Sequence, residues 1–199
     1  MKETEAKNEL EFIKNVMEDS RKIIVDDGKN FIFWGIIAAL GLIVTYILIV
    51  EKFGEYIKWV WVVLIAVGWT YSLTSNLKKQ KKRRVRTFAG KILSVTWFSC
   101  GLTMTIVGIG GSFSGAIHGV YISPTISIIA GIAFAITGTI YNDKWLALLS
   151  AGWWLGGIVM FFNPSIHSIL MMALMMIFFQ ITPGIVLYNR YKKELLIQS

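Results

Sequence analysis

The chain has 199 residues, 55% of them hydrophobic, with a mean hydropathy of +0.60 and a formal net charge of +8. A soluble domain of this size cannot hide so much apolar surface, and a single cysteine, Cys100, excludes an internal disulfide. In a soluble protein the positive charge would point to nucleic acid. Here the charges flank long apolar stretches, so their placement reports topology.

Residues 1–30 form a polar arm with eight acids against six bases. They are too long and too acidic for a cleavable signal peptide, so the first apolar segment is expected to remain as a signal anchor. Within residues 5–27, Leu10, Ile13, Val16, Met17, Ile23 and Ile24 recur at helical spacing. Glu18 and Lys22 can pair at i,i+4, and Gly28 follows Asp26-Asp27 as a stop. The expectation is a cytoplasmic amphipathic helix whose apolar face packs on the protein itself or a second copy, docks a protein partner, or lies on lipid. The acid excess weakens the lipid option, since lipid-surface helices favour Lys and Arg.

Six apolar segments follow, at 31–50, 57–77, 92–111, 123–141, 145–162 and 165–187. Runs of about 20 uncharged residues match a helix crossing ~30 Å of hydrocarbon. They lack the period-two alternation of outer-membrane strands. The fold class is therefore all-α, a polytopic six-helix transmembrane bundle over 31–188. The amphipathic helix precedes it, and a short basic tail at 189–199 follows. Asn30 is placed to cap the first helix. Ser123-Pro124 and Asn163-Pro164 read as cap-then-proline starts, and Asn142-Asp143 is a very tight break between helices four and five. The similar starts of helices four and six, which end in Tyr141-Asn142 and Tyr188-Asn189, suggest that helices three–four and five–six repeat one hairpin.

Lys78, Lys79, Lys81, Lys82, Arg83, Arg84 and Arg86 put seven basic residues and no acid into nine positions. The positive-inside rule places that loop in the cytoplasm. Both termini then lie there too, and the remaining loops divide eighteen Lys and Arg inside against two, Lys52 and Lys58, outside. Compact loops and a Lys/Ile-rich composition point to the plasma (inner) membrane of a bacterium. The basic loop is read as a topology signal or a contact for anionic lipid. Nucleic acid is not expected, because the run lacks interleaved aromatics for base stacking.

Within the six segments the only charged side chain is Lys58, one residue into helix two. Proton relays, ion-coupled carriers and voltage sensors usually need intramembrane charge. The interior polar groups are mild: Thr45, Thr70, Ser72, Ser99, Thr103, Thr105, Thr137, Thr139, Ser150 and Gln180. Hydroxyls can bond back to their own helix or across to a neighbour, and Gln180 needs a partner. Gly152/Gly156, Gly131/Ala135 and Gly35/Ala39 are small pairs at packing distance, serving the bundle or an oligomer.

No catalytic set holds up. HExxH and CxxC are absent, and His118 and His167 make a poor metal site without a carboxylate or thiolate nearby. Ser112-Phe113-Ser114-Gly115 fails as the GxSG of the six-helix rhomboid proteases. The leading glycine is missing and the serine falls in an outer loop. No cofactor or enzymatic activity is expected. The leading expectation is a non-catalytic membrane protein, a small regulatory or accessory subunit acting through protein contacts. The alternative is a carrier or channel for an uncharged or hydrophobic solute.

Overall fold

The computed structural model describes residues 28–82 and 88–198. The amphipathic arm at 5–27 and Arg83, Arg84 and Arg86 lie outside the described residues. Six helices among the described residues are long and apolar enough to cross a membrane. They are α1 (Lys29–Val50), α2 (Ile57–Lys82), α3 (Phe88–Ser114), α4 (Ile122–Tyr141), α5 (Lys144–Phe162) and α6, which begins at His167–Met175 and runs on to Gln198.

Several boundaries move outward from the sequence reading, for identifiable reasons. The basic run does not begin as a loop: α2 continues through Lys82. Lys and Gln are good helix formers, and cations suit the negative C-terminal end of a helix. The tail after 188 is likewise helical, as Thr182–Gln198. Ser112, Phe113 and Ser114, read as an outer loop, lie inside α3, where Ile106–Gly110 forms a π turn and Gly111–Ser114 closes the helix. Gly111 is buried under Ile117, which leaves no room for a side chain. Asn30 does not cap α1. The cap position is Gly28, at φ 61°, and the side-chain oxygen of Asn30 is buried without a hydrogen-bond partner.

The α4–α5 turn is as tight as expected. Asn142 takes the left-handed conformation at φ 50°, which Asn tolerates better than most residues. Its N–H donates to Thr139 O at 3.1 Å and that of Asp143 to Gly138 O at 3.0 Å, closing a Schellman motif. Asp143 then serves as N-cap of α5, its carboxylate accepting from the backbone N–H groups of Trp145 and Leu146. Two residues thus end one helix and start the next. Lys52, at φ 62°, closes α1 in the same way, with N–H bonds from Lys52 to Ile49 O and from Phe53 to Leu48 O.

A second π segment, Met176–Ile181, interrupts α6 just ahead of Pro183. Proline offers no N–H and its ring crowds the preceding carbonyls. In an apolar medium the freed groups must be satisfied locally. Here Ile177 O accepts both the Thr182 backbone N–H and, at 3.0 Å, the Thr182 Oγ1 hydroxyl. The π segments fall in α3 and α6, which are not equivalent positions in the two suggested hairpins. Pro124 sits inside the first turn of α4, whereas Pro164 precedes α6 by three residues.

The helices divide into a core and a periphery. α4 and α5 form the most extensive pair, and α1 packs along α6. In α1, α4, α5 and α6, 28–39% of the most apolar stretch is buried, against 6% in α2 and in α3. Close approach in the core depends on small residues. Gly138 lies against the backbone of Ala147, Gly131 against Trp154, and Gly184 against Phe31 and Ile32 of α1. An aromatic chain threads five helices, from Phe31 through Trp97, Phe134 and Trp153 to Phe179, with successive ring centroids 4.9–5.9 Å apart.

Candidate functional site

Four indole–hydroxyl hydrogen bonds tie neighbouring helices together. Trp34 donates to Ser72 at 2.8 Å and Trp61 to Thr45 at 2.9 Å, both between α1 and α2. Trp69 donates to Thr105 at 3.2 Å between α2 and α3, and Trp97 to Thr137 at 3.0 Å between α3 and α4. Three of these acceptors spend their own proton on their own helix. Thr45 donates to Gly41 O, Thr105 to Gly101 O and Thr137 to Ala133 O, each four residues back. The i−4 bond uses the hydroxyl's single donor and leaves a lone pair free, so the arrangement is self-consistent. α2 and α3 bury little surface, and these bonds join them to the core together with the ring contacts of Tyr71 with Phe33 and of Trp97 with Phe31 and Phe134. Ser127 Oγ similarly donates to Trp153 O at 2.6 Å, clamping α4 to α5. The indole N–H of Trp153, fully buried, has no hydrogen-bond partner.

These bonds can be tested singly. A double-mutant cycle of Trp97→Phe and Thr137→Val is expected to give a coupling of about 0.6 kcal/mol, the average for interhelical hydrogen bonds in membrane proteins, and no more than about 1.7 kcal/mol. Unfolding in mixed micelles checks it, and additive single mutants would mean that the bond contributes nothing.

The end of the bundle that carries Lys29, Lys144 and Arg190 is here called the basic end. There Arg190 of α6 pairs with Asp143 in the α4–α5 turn. Burial raises the Asp143 carboxyl, but the Arg190 hydrogen bond and charge, with two backbone N–H groups, outweigh it and hold the carboxyl below its ordinary value. Arg190 is 55% exposed, so the ion pair is solvent-screened and contributes at most about 0.5 kcal/mol. Loss of the cap adds ~1 kcal/mol. A depressed folded pKa stabilises above the unfolded value, near ~3.9, and this stabilisation disappears as pH falls through the folded value. Asp143→Ala should therefore lower stability by about 1 kcal/mol at neutral pH. Asp143→Asn keeps a capping oxygen and should flatten the decline below about pH 4. Thermal unfolding in detergent across pH reads both, and an unchanged acid limb in Asp143→Asn would place the sensitivity elsewhere.

At the opposite end, His118 lies near Tyr121 (6.4 Å) and His167 near Tyr46 (6.1 Å). Among the described residues no group of three His, Cys, Asp or Glu comes together to hold a metal ion. Ser114 donates to Gly110 O at 2.7 Å as the last residue of α3.

Comparison with protein-family models, curated proteins and solved structures finds no match to this chain.

The sequence-selected packing residues face neighbours within the chain. Gly152 meets Phe179 and Gly156 meets Met175, both on α6, while Gly131 meets Trp154. Ala135 is half-buried and Gln180 is buried, its Cγ close to Gly35 of α1. Of the basic candidates, Lys78, Lys79, Lys81 and Lys82 fall on the last turns of α2. The sequence reading missed the four indole–hydroxyl pairs and Gly138. The hydroxyls were visible as interior polar groups, but their partners lie 16–40 residues away.

Proposed function

We propose that this is a non-catalytic integral membrane protein, a regulatory or accessory subunit that acts through protein contacts made by residues 5–27. The supporting observation is how the bundle uses its interior. Phe134, Leu146 and Trp153, all at 0% exposure, fill the centre where a solute path would run. The buried hydroxyls that would line such a path, Ser127 and Thr137, are spent on interhelical and backbone bonds. What remains for recognition is the arm and the basic end. The charge distribution supports a cytoplasmic location for that end and for both termini, in a bacterial plasma (inner) membrane.

The test is purification in mild detergent from the native host, full chain beside a form lacking residues 1–27, with mass spectrometry of co-eluting proteins. A stoichiometric partner lost with the arm supports the reading. Partner-free protein in both samples overturns it.

A second reading, a carrier for an uncharged or apolar solute, draws on the unpaired Trp153 N–H and the buried Gln180 within a π segment, since π turns are frequent at functional sites. Solute flux in liposomes that falls with Gln180→Leu would favour it.

A further inference from the structure

We propose that the thioethers of Met160, Met171 and Met175, between α5 and α6, bind one soft monovalent cation of the Cu(I) class. The inference rests on the packing of these two helices and is independent of the subunit reading.

Four of the eight methionines fall within six residues of α6, at Met171, Met172, Met175 and Met176. Met171 and Met175 are four apart and share one face of the helix. The contacts with α5 follow a regular antiparallel register. Gly152 lies against Phe179 and Gly156 against Met175. Each step of four along α5 thus matches a step of four back along α6, and the next step sets Met160 opposite Met171. Three thioether side chains therefore meet over two successive turns.

Their meeting point is Gly156. A Cβ there would collide with Met175 Sδ and would touch Met171 Cε at 3.8 Å. Both side chains thus reach the same spot on α5, in the space that the missing methyl leaves. Met160 is 1% exposed and Met175 6%. Both belong to the core cluster, and Met171 packs against it partly buried. Leucines would fill the same volume, but methionine adds a polarizable sulfur.

The ligand chemistry selects the ion. Thioethers are soft and suit Cu(I), whereas Mg²⁺, Ca²⁺ and Mn²⁺ take oxygen ligands and Zn²⁺ takes thiolate, imidazole or carboxylate. A neutral ligand set leaves the charge of the ion uncompensated in an apolar interior, which penalises a divalent cation far more than a monovalent one. His167 opens α6 one turn ahead of Met171 on the same face. From that end His167 is exposed, Met171 half-buried and Met175 buried, so the imidazole stands at the mouth of a path that leads to the sulfurs.

The probe is Ag(I), a soft monovalent ion that needs no reductant. It is added to the full chain in detergent, in a Cys100→Ala background so that no thiol competes. Metal analysis after desalting should find one Ag(I) per chain and no retained Zn(II). Met171→Leu and Met175→Leu conserve volume. Each should lower the affinity at least tenfold with a thermal midpoint near that of the parent. Gly156→Ala should do the same, because its methyl displaces only the far ends of Met175 and Met171. Met104→Leu on α3 should leave the affinity unchanged. If the leucine variants do not fold, X-ray absorption at the selenium edge of the selenomethionine-labelled parent decides, and silver is expected beside selenium. An affinity unchanged by Met175→Leu, a bound silver without selenium beside it, or no Ag(I) retained by the parent overturns the proposal.

Discussion

Gly138→Ala is expected to destabilise the bundle by about 2 kcal/mol. Alanine should gain ~1 kcal/mol over glycine in helix propensity. Against this, a Cβ at Gly138 would fall within 2.7 Å of Ala147 Cβ and closer still to the Ala147 backbone. A side chain can rotate away, but the backbone of α5 is held one turn before Ala147 by the Asp143 cap. The strain must then shift one helix against the other, at the upper end of overpacking costs of ~1–3 kcal/mol. The same carbonyl–amide bond that closes the turn, Asp143 N–H to Gly138 O, is stretched by such a shift. Gly119→Ala is the control, because nothing lies within 4 Å of a Cβ there. Comparable thermal midpoints in detergent for the two variants would mean that the α4–α5 contact is not the tight point of the fold.

Phe134→Ala should cost about 2–3 kcal/mol, with Phe134→Leu intermediate. Phe134 is wholly buried and touches Phe31, Trp97 and Trp153, so it joins α1, α3 and α5 through α4. In a water-soluble core, phenylalanine to alanine costs ~3–5 kcal/mol, part of it for transfer out of water. In a bilayer the separated helices already sit in an apolar medium, so that part falls away. The lost packing around the cavity remains. Two of the surrounding rings are indoles, so tryptophan emission should respond along with the unfolding midpoint. An unchanged spectrum and a cost below about 1 kcal/mol would show that the neighbours collapse into the space.

All six membrane-length helices were legible because the hydrocarbon thickness imposes a length and forbids charge, and both can be read by eye along 31–187. The Asn142-Asp143 turn was legible because those two residue types each suit the conformation it needs. Helix ends were less so. Lys78–Lys82 look like a loop by charge, yet they remain good helix formers once α2 has been nucleated within the membrane. The split between core and peripheral helices was not legible at all. Hydropathy separates water from oil, and it gives no sign that α4 and α5 are far more buried than α2 and α3. The indole–hydroxyl pairs were hidden for a related reason: Trp69 and Thr105 become partners only when the register between two helices is set. Trp153 fills the core, whereas Trp154, its neighbour in sequence, is 38% exposed and donates to Ile128 O at 3.3 Å. The arm, the feature on which the functional reading leans, lies outside the described residues.

The pairing of α1 with α6 also has a meaning in time. Synthesis makes α1 well before α6, yet Gly28 at the head of α1 and Gly35 within it find their close neighbours at Gly184, Gln180 and Ile181. Until α6 is made, that face of α1 lacks its partner. The α1–α6 seam can close only then, so a chain cut short before α6 would carry an unmatched face that distinguishes it from the longer one.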